Sequence, residues 1–132
     1  MANSLFEKII KGKILSKEST KKFVEIMKAQ EYLTIGSGLP YWITVGDKKS
    51  KIKEIASKSG SCVYEKDNYW SIRNDVAYIK TKRTKREYII SIFSEGPADR
   101  KNMWTGRNKY VVAIARFSNL IYKHFESKYN RG

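Results

Sequence analysis

Two rhythms divide the chain. From Ser4 to Lys11 the apolar residues Leu5, Phe6, Ile9 and Ile10 recur at helical spacing, with Gly12 as a stop. Ser16 is then placed to cap a second helix, Lys17 to Gln30, with Phe23, Val24, Ile26 and Met27 as its apolar stripe. Gly36 to Asp47, rich in glycine and holding Pro40, reads as an irregular connection around a short extended piece, Trp42 to Val45. Beyond it the period drops to two. Ile52–Cys62, Tyr69–Lys80 and Arg86–Phe93 are β-branched or aromatic strands, joined by polar loops at Tyr64–Asn68 and Thr81–Lys85, which predicts an antiparallel meander. Ser94 to Pro97 is expected to break the last strand. The helical period returns from about Arg107 to Tyr129, with Val111, Ile114, Ala115, Ser118, Ile121, Tyr122 and Phe125 on one face, enough to cover a sheet.

The predicted class is therefore α+β: a three-stranded antiparallel sheet, an N-terminal helix pair and a long C-terminal covering helix. At 132 residues, residues 1–132 read as a single domain. A hydrophobic content of 41% supports a real core, and no stretch approaches the roughly 18 apolar residues of a membrane span. The N-terminus has no apolar run behind a basic start and so does not read as a secretory signal. The single cysteine, Cys62, excludes an internal disulfide framework and reads as a half-buried strand thiol. His124, without cysteine or carboxylate neighbours at ligand spacing, gives no metal site, and no cofactor is implied. A net charge of +14 favours anionic partners.

The chemistry concentrates on one strand. Lys58-Ser59-Gly60 is read, on its own, as a lysine and a small-residue kink at a strand end. Its setting adds a second reading, because the tripeptide lies on the first strand of the meander, after the helix pair and before the closing helix. Leu15-Ser16, Gly38-Leu39-Pro40, Lys58-Ser59-Gly60 and Arg73-Asn74-Asp75-Val76-Ala77 follow in order along nearly the whole chain. In this order the sequence resembles the C-terminal part of the class A serine β-lactamases and penicillin-recognising enzymes, whose third signature is Lys-Thr/Ser-Gly. The resemblance implies a partial β-lactamase/transpeptidase-like fold: the last helices of the helical domain and the final three strands of the α/β domain.

It also implies roles. Lys58 would put an ammonium beside the nucleophile's proton path and the substrate carboxylate, and Ser59 would donate a hydrogen bond to that carboxylate. The backbone N–H of Ser61 would be an oxyanion donor. Gly60 would let substrate approach the strand, and Arg73 would offer its guanidinium to the same carboxylate; a solvated strand arginine is the alternative for Arg73.

The sequence also departs from the family pattern. The nucleophilic Ser-x-x-Lys and the Ser-Asp-Asn loop of the family lie upstream of the region matched. Two chance Ser-x-x-Lys matches, Ser19 to Lys22 and Ser50 to Lys53, are followed by no Ser-Asp-Asn element. The connection from Ser61 to Ile72 is longer than the family's and would overhang the site.

The expected function is the C-terminal portion of a β-lactamase-like serine hydrolase that recognises a β-lactam or a peptidoglycan-derived anionic substrate, inactive without a nucleophile-bearing segment. The alternatives are a catalytically inactive penicillin-fold binding or assembly protein, and a basic nucleic-acid-binding module using Lys48–Lys53 and Lys80–Arg86. The expected partner is the N-terminal segment of the same fold, or a second copy through strand 86–93, whose outer edge would expose Ile90 and Ile92. The location follows the same fork: extracytoplasmic for a fragment of an exported family member, cytoplasmic for a complete chain.

Overall fold

A computed structural model describes residues 1–31, 34–40, 50–64 and 70–127. The expected extended piece at Trp42–Val45, most of the expected Tyr64–Asn68 loop and the last two residues of the span expected to be helical, 128–129, lie outside them. Two short helices come first, α1 (Ala2–Ile10) and α2 (Lys17–Lys28). Gly12, at φ +65°, reverses the chain after α1, its N–H bonding back to the Ile9 carbonyl. Ser16 is the N-cap of α2, its hydroxyl accepting from Ser19 N at 3.1 Å. The apolar faces are narrower than their periodicity suggests. Phe6 and Met27 are buried, whereas Leu5 and Ile26 are exposed.

The meander follows as β1 (Ile52–Tyr64), β2 (Trp70–Thr81) and β3 (Glu87–Pro97), antiparallel in the order β1-β2-β3. β3 does not break at Ser94. It runs on because Arg73, Ile72, Ser71 and Trp70 of β2 continue to pair with Ser94, Glu95, Gly96 and Pro97, so the length of the neighbouring strand overrides the glycine–proline punctuation. After a 3-10 turn at Arg100–Asn102 the chain enters α3 (Lys109–Ser127).

The helices cover opposite faces of the sheet. Ala56, Val76, Tyr78 and Ile89 turn toward α1 and α2, where Phe6, Phe23, Val24 and Met27 meet them. Ile55, Ala77, Ile79 and Ile90 turn toward α3 and pack with Ile114, Tyr122, Ile35 and Leu39. Burying a side chain of this size contributes roughly 1.5–3 kcal/mol, so each face is a substantial part of the stability. Ile90 is buried and Ile92 partly buried against this core, which corrects the expectation that both stand exposed beside the β3 edge. α3 covers them. The α3 stripe is Ile114, Ser118, Tyr122 and Glu126, a strict i, i+4 row. Glu126 is buried because Arg83 Nε reaches its carboxylate at 3.0 Å and Thr84 also donates to it.

Gly38 fixes the approach of the Gly36–Gly38 turn to α3. A Cβ there would stand 1.8 Å from the Ala115 carbonyl oxygen, and Asn119 Nδ2 donates to the Gly38 carbonyl at 2.8 Å.

Candidate functional site

On the α3 side of the sheet, side chains fall in rows across the three strands. Ile55, Ile79 and Tyr88 form one row, and Ser57, Ala77 and Ile90 the next. Farther along come Ser59, Asp75 and Ile92, then Ser61, Arg73 and Ser94. The same face therefore changes from an apolar core to a cluster of hydroxyls and charges. Where it becomes polar, the first turn of α3 and the loop before it leave a cavity of about 530 Å³. Ser59, Ser61 and Arg73 line it, with Thr34, Ser37, Glu31 and the Met103–Gly106 segment.

Arg73 is only 4% exposed, so the reading of a solvated strand arginine is excluded. Its NH2 donates to the Met103 carbonyl at 2.6 Å and its NH1 to the Ile72 carbonyl at 3.0 Å. Its guanidinium lies over the Trp104 ring, 4.6 Å from the centroid. No carboxylate is ion-paired to it among the described residues. Burial lowers its pKa from the ordinary value, but a guanidinium stays charged inside proteins. A cationic group is thus held at a cavity wall by neutral acceptors, with part of its donor capacity unused. The Met103 carbonyl is held in turn by fully buried Asn108, whose Nδ2 donates to it at 3.4 Å.

Asp75 sits in the neighbouring row and is almost fully buried. Its Oδ2 accepts the Ile35 N–H at 2.8 Å, while Oδ1 has no hydrogen-bond partner among the described residues. Desolvation pushes its pKa up to about 6, with the Ile35 and Val76 amides and then the Lys58 charge pulling the other way. Asp75 acts here as a positioning residue. It anchors the turn that carries Thr34 and Ser37 into the cavity wall.

Strand alternation separates the residues singled out in the sequence. Ser59 and Ser61 face the cavity, and Arg73, across from Ser61, faces it with them. Lys58 lies on the opposite face, in an apolar groove of about 280 Å³ lined by Leu5, Phe6, Ile9, Val76 and Phe93. Its ammonium donates to the Ser59 carbonyl. Gly60 also belongs to that face, opposite Asn74, and a Cβ on it would meet no atom within 4 Å. β1 is an edge strand of the three, so a molecule lying along it at Gly60 would reach both faces.

Neither chance Ser-x-x-Lys serine lines either recess. Ser19 is engaged in the α2 cap, and Ser50 is buried with its hydroxyl tied to Ile52 N and O. Cys62 is exposed, not half-buried; it lies near the end of β1 on the face turned away from α3. His124 is exposed on α3, its ring edge-on to Phe125. Among the described residues no three His, Cys, Asp or Glu side chains converge as metal ligands, and no helix is long and apolar enough to cross a membrane.

A family model described as the β-lactamase enzyme family matches residues 1–125. The chain belongs to the β-lactamase enzyme family. No curated protein and no solved structure gives a match. For this β-lactamase-family domain, Trp104 and Asp75 are the site residues that sequence reasoning assigned no role. An isolated tryptophan in the polar loop Asn102–Asn108 was the available signal for the first. For the second it was a carboxylate two residues from Arg73 on an otherwise inward-facing strand.

Proposed function

We propose that this chain forms the substrate-carboxylate and oxyanion side of a β-lactamase-like serine hydrolase cleft, acting on a β-lactam or a peptidoglycan-derived anionic peptide. The observation that carries the reading is the buried guanidinium of Arg73, without a carboxylate partner among the described residues, sharing one cavity with the hydroxyls of Ser59 and Ser61. A substrate carboxylate there would meet Arg73 through charge-assisted hydrogen bonds and accept another from Ser59. Glu31, also at the wall, would disfavour a second negative group nearby.

In this reading the substrate lies along the outer edge of β1. Its carboxylate is on the α3 side and its scissile carbonyl near Ser61, whose backbone N–H serves as one oxyanion donor. Gly60 leaves the strand bare where the substrate crosses. The nucleophile approaches from the α1 side, where Lys58 would meet its proton path. That side also carries the exposed apolar residues Leu5 and Phe93, a seat suited to the segment that bears the Ser-x-x-Lys element. The fold would then be the C-terminal portion of a larger β-lactamase-like architecture, with no nucleophile of its own in the cavity.

The basic hairpin gives less support to a nucleic-acid-binding module. Lys80 is paired with Glu87 and Arg83 with Glu126, so part of its charge is already neutralised.

The test is kinetic. Joined to a nucleophile-bearing segment of the same fold, in cis or as a second chain, the protein should be acylated by a β-lactam. Lys58→Ala should then lower the acylation rate by about 10²-fold, on the order of a general acid–base contribution, and Arg73→Ala should chiefly raise KM. Acylation indifferent to both substitutions would refute the assignment.

A further inference from the structure

Trp104 is 67% exposed although it sits in a cavity wall, and its ring carries the Arg73 guanidinium 4.6 Å from its centroid. This cation–π contact uses no N–H donor of the guanidinium, so those not already bonded to carbonyls remain to meet a carboxylate. Of the five N–H donors of an arginine, Arg73 commits one to the Met103 carbonyl and one to the Ile72 carbonyl. The cavity is of the size that takes small molecules. Beside Trp104 its wall is continued by Met103 and Val111, while the hydroxyls of Ser59 and Ser61 lie on the strand. Cation, aromatic shelf and hydroxyls therefore share one cavity.

Resting on the reading of Arg73 as a carboxylate site, we infer that Trp104 is a specificity-determining residue. It selects anions that bear a flat, apolar group close to the carboxylate, which stacks on the indole while the carboxylate engages Arg73. The Trp104 ring also orients the guanidinium. Asn108, fully buried, fixes the loop by holding the Met103 carbonyl and by accepting the Tyr110 N–H at 3.0 Å. The shelf is therefore set before any ligand arrives. An aliphatic anion of the same charge would use Arg73 and leave the indole in water.

The experiment titrates the full chain with phenylacetate and with acetate, read by backbone amide shifts at Ser59, Ser61 and Arg73 and by the Trp104 indole N–H. Phenylacetate should bind about tenfold more tightly, the upper range for an aromatic pair, and should move the indole resonance, which acetate should not. Trp104→Leu should bring the two affinities within about twofold of each other, the readout being their ratio and not the strength of acetate binding alone, and Trp104→Phe should restore most of the preference. A preference unchanged in Trp104→Leu, or an indole resonance indifferent to phenylacetate, overturns the inference and leaves the carboxylate site standing. Acetate shifts that persist in Arg73→Gln, or no acetate shifts in the unsubstituted chain, overturn the carboxylate site itself.

Discussion

Replacing Asp75 by asparagine isolates the strongest internal electrostatic conflict of the site. The Asp75 carboxyl is almost fully buried, one oxygen accepts the Ile35 N–H and the other has no hydrogen-bond partner among the described residues. Its pKa is raised from the ordinary 3.8 to about 6, so between those values the folded protein binds more protons than the unfolded chain. The contribution of this group is whole below pH 3.8 and is lost as pH rises through 6. At ~1.4 kcal/mol for each tenfold change in proton affinity, the loss is about 3 kcal/mol. That is large beside a usual total of about 5–15 kcal/mol.

Asparagine keeps an oxygen for the Ile35 N–H and cannot ionise. The difference in unfolding free energy, asparagine minus aspartate, should therefore rise by about 3 kcal/mol between pH 3.5 and 7.5, whatever constant offset the new amide brings. Glu7 and Glu87, whose pKa values are lowered chiefly by hydrogen bonds from Lys11 and Lys80, give a slope of the opposite sign, stabilising above the unfolded pKa. They are present in both proteins and cancel. Urea unfolding across the pH series is the assay. Parallel curves for the two proteins would refute the desolvation account, and a difference that falls with pH would mean that charge stabilises the Asp75 carboxylate.

Other substitutions test the geometry. Gly38→Ala should destabilise the fold by about 3 kcal/mol or more, since its Cβ would collide with the α3 backbone at Ala115; thermal unfolding unaffected by it would contradict the packing of that turn. Gly60→Ala, with no atom within 4 Å of the new carbon, should change stability by no more than about 0.5 kcal/mol. It should still weaken carboxylate ligands that lie along β1, as read by calorimetric titration. Arg83→Leu should cost about 1–3 kcal/mol in chemical denaturation, because it strips the buried Glu126 carboxylate of its cation.

Much of this fold was legible because its periodicities are local. Ser16 as a cap, Gly12 as a stop and the three-strand meander all rest on residues whose consequences lie within a few positions of the chain. The continuation of β3 to Pro97 was not, because it depends on pairing with Trp70–Arg73 on another strand. Ile90 and Ile92 were misjudged for a related reason: their cover comes from α3, far along the chain. The site was legible in type and less so in arrangement. Alternation along β1 already requires Lys58 and Ser59 to face opposite sides, yet only the paired register brings Ser61 across from Arg73. The cation–π contact of Trp104 with Arg73 joins a loop to a strand thirty-one positions away, and no spacing in the sequence encodes it.

The most direct test of the central claim is to map where a penicillin-type β-lactam binds this chain reversibly. Amide shifts on titration should be saturable and centred on Ser59, Gly60, Ser61 and Arg73, and should vanish in Arg73→Gln. Shifts gathered instead on the Lys80–Arg86 hairpin, or a response at Ser59–Ser61 that survives Arg73→Gln, would contradict a carboxylate site built on Arg73.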